Sequence, residues 1–166
     1  MRAAAEPVVD PMALDVQRLI DHMIETMEDS GGVGLAAPQV HVSLRVVVYH
    51  IPAGRNGGRA VPPSVLINPR LEPLDDRMET AYEGCLSLPG LTGAVPRFAR
   101  LRCRGLDRFG LPVELVVDGF HARVLQHECD HLDGVLYPMR MPDLSSFGFV
   151  EEARQALAND DFEGEE

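Results

Sequence analysis

The 166-residue sequence has few basic residues and no long hydrophobic segment. Lys and Arg together number 15 against 26 Asp and Glu, which gives a formal net charge of -11. Because phosphate binding requires clustered positive charge, this balance argues against nucleic acid or an anionic membrane as the main partner. No apolar run approaches the length of a membrane span, and no early segment resembles a signal peptide.

Cysteine is also scarce. The chain has 3 Cys, an odd number that fits a reducing compartment without structural disulfides. We therefore expect a cytoplasmic protein. With 45% apolar and 25% charged residues, the composition is that of an ordinary soluble globule, and the length suits one domain with its own core.

The most informative stretch is residues 127–131, which read HECDH. On a helix, His127 and His131 lie one above the other and can share one metal ion. Glu128 is then held beside a water that the metal activates, where it serves as general base and not as a ligand. The pattern predicts a hydrolytic metal site. The alternative is an exposed helix that carries both imidazoles without binding a metal.

Two His provide only half a coordination shell, so the three cysteines are candidates for the third protein ligand. Cys129 is rotated by roughly 200° from His127 around the helix, so we expect it to pack as a small apolar residue. Cys103 lies in an alternating strand, where a half-buried thiol is expected. Cys85 follows Gly84, which lets backbone come close, and its sulfur would bind a divalent metal as a thiolate. On chemistry alone, a ligand and an inert core residue both remain open for Cys85.

Three short motifs occur in order along the chain. Residues 32–39 read GVGLAAPQ, residues 83–87 read EGCLS and residues 126–131 read QHECDH. Together they resemble the peptide deformylase family, and the similarity covers nearly the whole chain. The resemblance implies an α+β fold of mostly antiparallel short strands packed around a central helix that carries the HExxH motif.

The resemblance also implies a reaction and a set of site residues. The reaction is hydrolysis of the formyl group from the formyl-methionine of newly made polypeptides, with release of formate. One divalent metal ion is expected per chain: Fe(II) is implied in the cell, and Zn(II), Ni(II) or Co(II) also suit one thiolate and two imidazoles. The set has three metal ligands (Cys85, His127, His131), one residue that moves protons (Glu128) and two donors to the developing oxyanion (Gln39 side chain, Leu86 backbone).

The formylated peptide is predicted to lie against the first motif. Its glycines let an extended backbone approach, as in strand addition at a sheet edge. A helix precedes these glycines, so they do not form a dinucleotide-binding fingerprint, which needs a strand there. Apolar residues nearby would accept the methionine side chain, and an ordinary core role is the alternative for them. The predicted substrate contacts are Val33, Gly34, Leu86, Phe120 and Val124.

Four further residues are expected to support the site: Gly32, Glu83, Gly84 and Arg97. The resemblance places Arg97 against Glu83, where the pair would fix the strand that carries the cysteine ligand. Two solvated surface charges are the alternative. Thr92 stands where some relatives place a basic substrate contact, so the affinity for peptide is expected to differ.

The remaining sequence predicts helices and strands around these motifs. Apolar residues from Val16 to Met27 follow helical spacing, with Asp10-Pro11 before them and Gly31-Gly32 after them. Asp118 and Gly134 should bound the helix that carries HExxH. The predicted strands are residues 45–49, 64–68, 99–103 and 113–117, and residues 149–158 predict a last helix.

Both ends depart from the family pattern. Relatives usually begin with a further segment, so we expect either a misassigned start or the absence of the family's first strand. If the strand is absent, a sheet edge or part of the core is left bare, which predicts lower stability or self-association. We predict a single catalytic domain over residues 1–158 and an acidic tail over residues 159–166. Because that end is acidic, ribosome docking through a basic terminal helix is not expected. The oligomeric state stays open.

Two other functions compete with the deformylase. One is a metal-dependent peptidase or amidase with the same pair of His, although Cys85 as third ligand is atypical of such peptidases. The other is a catalytically silent deformylase-like binding protein that retains a structural metal.

Overall fold

The computed structural model describes residues 4–155. These residues form two long helices and eight strands in two sheets. In chain order the elements are α1 (Leu14–Asp29), β1 (Gly34–Ala36), β2 (Val46–Ile51), β3 (Val61–Pro73), β4 (Met78–Cys85), β5 (Leu88–Phe98), β6 (Arg100–Leu106), β7 (Pro112–Asp118), α2 (Gly119–Leu132) and β8 (Gly148–Phe149). None of the described helices is long and apolar enough to span a membrane.

The chain forms two compact units, of which the first holds residues up to 79 and residues 97–136. Its five-stranded sheet has the order β1-β2-β3-β6-β7, and every neighbouring pair is antiparallel. Alternate side chains of β2 point to opposite faces of the sheet. Val46 and Val48 join one core cluster, whereas Val47, Tyr49 and Ile51 join the other.

Helix α1 covers one face of this sheet. Its apolar stripe, Val16, Ile20, Met23 and Met27, is buried against the cluster that contains Val46. Burying each such side chain stabilises the fold by about 1.5–3 kcal/mol. The predicted helix is confirmed, although it begins at Leu14, because the segment before it forms a turn in which the Met12 amide donates to the Asp10 side chain at 2.9 Å.

Helix α2 covers the opposite face. Ala122, Val124, Leu125 and Leu132 pack into the cluster that contains Val47. Asp118 takes the N-cap position as predicted, without a capping hydrogen bond from its side chain. Gly134, with φ 75°, follows the end of the helix, where its amide donates to the His131 carbonyl at 3.2 Å. The sequence from 119 to 132 is therefore held on the sheet by its apolar face.

The second unit holds residues 80–96 and the segment from residue 137 onwards. A three-stranded sheet of order β4-β5-β8 is its main feature, and β8 pairs antiparallel with β5 through Leu91 and Phe149. Residues 150–155 are helical, so the described part of the predicted last helix is confirmed except at Phe149, which lies in β8. Residues 156–158 and the predicted acidic tail lie outside the described residues.

The predicted α+β class with mostly antiparallel strands is confirmed. The strand predictions for β2, β6 and β7 hold within a few residues. Strand β3 is much longer than the predicted 64–68, and β4, β5 and β1 were not among the predicted strands. Their glycines and prolines interrupt the alternating apolar pattern by which a strand is recognised.

Candidate metal centre

The HExxH motif lies in α2, and all three of its chemical residues are buried. His127, Glu128 and His131 are 8%, 5% and 1% exposed. The two imidazole rings meet edge to face, with centroids 4.9 Å apart and an interplanar angle of 86°. His127 and His131 therefore do not lie on an exposed face of the helix, as the alternative required.

Cys85 ends strand β4, and its sulfur completes a cluster with the two imidazoles. One ligand atom from each of Cys85, His127 and His131 lies within 4.8 Å of the others. One thiolate and two imidazoles form a donor set that suits Zn(II) or Fe(II), and three protein ligands leave a fourth tetrahedral position for solvent or substrate. The residues present therefore fit a divalent transition metal.

The electrostatics of α2 favour the ligating form of His131. Burial, and then the neighbouring His127, lower the pKa of His131 from 6.5 to about 3, although Asp130 opposes this shift. The imidazole is therefore neutral at pH 7 and keeps a lone pair for a metal, since only the neutral ring can ligate.

The other two cysteines are part of the core. Cys103 is fully buried, more than the half-burial expected for it, and burial raises the pKa of its thiol to about 11. Cys129 is buried as expected, and burial raises the pKa of its thiol well above the ordinary value. Both side chains therefore behave as small apolar residues at neutral pH.

Gly34 lies directly against the carboxylate of Glu128. A Cβ atom at Gly34 would be 2.7 Å from Cδ and 2.8 Å from Cγ of Glu128, closer than side chains approach. The sequence predicts that this glycine gives room to a substrate backbone. The structure shows a second need for it, because the missing side chain is what lets Glu128 occupy its position.

The rest of the first motif is held by local hydrogen bonds. Gln39 lies in a short 3-10 helix, and its Oε1 accepts from the Ala36 amide at 2.8 Å, which fixes the orientation of the side-chain amide. His50 in β2 contacts the Gly32 carbonyl through Nε2 at 3.0 Å and donates its backbone amide to the Val33 carbonyl at 3.0 Å. Sequence reasoning missed His50, because it carries no motif and only strand pairing brings it to the glycines.

Arg97 has a buried partner that the sequence analysis did not name. Its Nη1 donates to Asp130 Oδ2 at 2.6 Å, and the two side chains are 5% and 10% exposed. Glu83 is also buried, and its backbone carbonyl accepts from the Thr92 hydroxyl at 2.9 Å. The alternative of two solvated surface charges is therefore wrong for Glu83 and Arg97. The predicted pairing between them stays a prediction.

The residues predicted for the methionine pocket differ in their surroundings. Val124 is 4% exposed and belongs to the core cluster of α2, and Phe120 packs against the same cluster. The Arg55 guanidinium lies over the Phe120 ring, 3.6 Å from its centroid. Leu86 is 41% exposed. A core role thus accounts for Val124, and the pocket stays a prediction.

Comparison with known proteins places these features in one family. A family model described as polypeptide deformylase matches residues 1–147. Peptide deformylase 2 of Ralstonia nicotianae is 51% identical over 151 residues, which cover 89% of this chain and 84% of the relative.

Solved structures of peptide deformylases are also similar to this chain. A Met-Ala-Ser-bound class I type b peptide deformylase from Acinetobacter baumannii is 36% identical with a TM-score of 0.77, covering 84% of this chain and 91% of that one. A Synechococcus elongatus peptide deformylase in complex with actinonin is 35% identical with a TM-score of 0.77, and the match covers 95% of this chain and 79% of that one. The chain therefore belongs to the polypeptide deformylase family.

Proposed function

We propose that this protein is a metal-dependent hydrolase that removes the formyl group from the formyl-methionine of newly made polypeptides and releases formate. The observation that carries the proposal is the cluster of Cys85, His127 and His131 beside the buried carboxylate of Glu128. Membership of the deformylase family supports the same reaction.

One divalent metal ion per chain would be held by Cys85, His127 and His131. When bound, this ion supplies Lewis-acid activation of water and of the formyl carbonyl. The donor set alone does not choose among Fe(II), Zn(II), Ni(II) and Co(II), because availability decides between metals of similar affinity. Fe(II) is our choice for the cell, on the resemblance to the family.

Glu128 moves the protons of the reaction. Its carboxylate accepts a proton from the attacking water and then gives a proton to the amine that leaves. The Gln39 side-chain amide and the Leu86 backbone amide donate to the oxygen that becomes negative as the formyl carbon is attacked. Each such preorganised donor lowers a barrier of this kind by about 3 kcal/mol.

The substrate peptide lies in extended form along β1. This strand is at the end of the five-stranded sheet, with β2 on one side, so its other edge is available for strand addition within the described residues. Val33 and Gly34 contact the peptide backbone, and Leu86, Phe120 and Val124 receive the methionine side chain. Gly32, Gly84, and a pairing of Glu83 with Arg97 support these contacts.

In this proposal α2 is the central helix of the fold, and residues 1–158 act as one catalytic domain. The partner is an N-formylated nascent peptide in the cytoplasm. Proximity to the ribosome is transient and does not use a basic terminal helix, and the net charge of -11 leaves no role for nucleic acid as a ligand.

A formate-release assay tests this function. Protein loaded anaerobically with Fe(II) is mixed with a formylated methionine tripeptide, and formate and free amine are measured together. We expect both products in equal amounts, and no cleavage of the same peptide without its formyl group. Cleavage of an internal peptide bond would establish the peptidase instead, and absence of both activities from metal-loaded protein would establish the silent binding protein.

A further inference from the structure

Helix α2 binds the ends of strands β4 and β5 through three polar side chains. Arg123 Nη2 donates to the Glu79 carbonyl at 2.6 Å. Gln126 pairs with the backbone of Phe98 in both directions, accepting from its amide at 3.0 Å and donating to its carbonyl at 2.9 Å. The third contact is the ion pair of Asp130 with Arg97 at 2.6 Å.

These three residues share one side of the helix. Arg123, Gln126 and Asp130 are spaced i, i+3 and i+7, which places them in one row along its surface. The helix therefore presents a continuous polar row, here called the anchor row, to the two strand ends. Within the same helix, His127 and His131 carry the metal donors.

The strand ends that the anchor row holds are those of the hairpin that bears the cysteine. Glu79 lies in β4, the strand that ends at Cys85, and Phe98 is the last residue of β5, which pairs with β4. We propose that Arg123 and Gln126 are positioning residues for the metal site. By holding these strands, they fix the distance between the Cys85 thiolate and the two imidazoles. This inference rests on the proposed function, because it requires a metal held by all three donors.

The contacts of the anchor row are strong enough for this role. Arg123 is 8% exposed, and a guanidinium bound to a carbonyl makes a charge-assisted hydrogen bond, which is stronger than a neutral one. Removing Gln126 leaves both the amide and the carbonyl of Phe98 without this partner. Residues that orient metal ligands typically change metal affinity by about 10- to 100-fold when they are replaced.

The test uses Co(II)-loaded protein, because the thiolate-to-cobalt charge-transfer band reports the Cys85 bond itself. Arg123→Met and Gln126→Ala should each weaken this band and raise the Kd for Co(II) by at least about 10-fold. Arg123→Lys should recover most of the affinity, since an ammonium can still donate to the Glu79 carbonyl. A role in stability alone would not change the charge-transfer band.

Gln17→Ala is the matched control. Gln17 is half-buried in α1 and donates to the Pro11 and Arg108 carbonyls, both at 2.7 Å, so the variant also loses side-chain to backbone bonds. It should lose a similar amount of stability and keep the wild-type band and Kd.

Wild-type bands and affinities in Arg123→Met and Gln126→Ala would overturn the inference while leaving the proposed function standing. A wild-type protein whose Co(II) form shows no thiolate band, and matches Cys85→Ser, would overturn the metal site and this inference with it.

Discussion

Replacing Gly34 with alanine places a methyl group where the Glu128 side chain now lies. The new Cβ would be 2.7 Å from Cδ and 2.8 Å from Cγ, whereas ordinary contacts begin at 3.4 Å. The carboxyl carbon must therefore withdraw by about 0.7 Å to reach 3.4 Å, and a misplacement approaching 1 Å costs about 100-fold in rate. That loss corresponds to about 2.7 kcal/mol in the activation barrier.

The assay is formate release from a formylated methionine tripeptide, with bound metal measured in the same samples. We expect kcat of Gly34→Ala to fall by about 100-fold while the metal content stays at one per chain, because none of the three donors is displaced. Gly54→Ala is the control, since a Cβ at Gly54 meets nothing within 4 Å. A Gly34→Ala enzyme with wild-type kcat would refute the reasoning that Glu128 needs this space.

Three further perturbations test the carboxylate, the buried acids and the buried ion pair. Glu128→Gln should lower kcat by at least about 100-fold and leave the metal bound, whereas loss of the metal would show that Glu128 is a ligand. Burial, and the neighbouring Cys103, raise the pKa of Tyr49 to about 12, and burial raises the pKa of Cys103 to about 11, so the unfolded chain loses these protons first. Below about pH 9 both groups are protonated in the folded and the unfolded chain, so they do not lower the free energy of unfolding. As the pH rises towards 12, the unfolded chain ionises first and the free energy of unfolding falls. For each group the loss is about 1.4 kcal/mol for every pH unit that separates its folded pKa from its unfolded pKa. Urea unfolding of metal-free protein at pH 8 and pH 11 measures this loss, which Tyr49→Phe should reduce, and an equal loss in both proteins would contradict it. Arg97→Met should cost about 3 kcal/mol in the free energy of unfolding, because the Asp130 carboxylate stays buried and loses this ion pair; a loss below about 1 kcal/mol would mean that the pair contributes little.

Local residue patterns were sufficient to predict those contacts and faces that depend on a single helix or strand. The apolar spacing of α1 and the i, i+4 pair of His127 and His131 both follow from helix geometry, so the sequence predicts them directly. The burial of Cys129 follows in the same way, from its rotation around α2 away from His127.

Contacts between segments that are distant in the sequence could not be predicted from local residue patterns alone. Residue chemistry left Cys85 open between ligand and core, and only resemblance to the family favoured it before the structure showed the cluster. The sequence offers several acids to Arg97, and nothing in their spacing selects Asp130, which lies in α2 and meets Arg97 of β5 only in the folded chain. The sequence predicts that Gly34 makes room for a substrate. Its contact with Glu128 could not be predicted, because no local rule indicates that a strand glycine faces a carboxylate on a helix.

The central claim is that one sulfur and two ring nitrogens bind a single cation. X-ray absorption of the Zn(II)-loaded protein tests it most directly, because sulfur and nitrogen scatter differently and at different distances from the metal. We predict one sulfur at about 2.3 Å and two imidazole nitrogens at about 2.0–2.1 Å, with the sulfur lost in Cys85→Ser. A first shell without sulfur, or a sulfur that persists in Cys85→Ser, would contradict the claim.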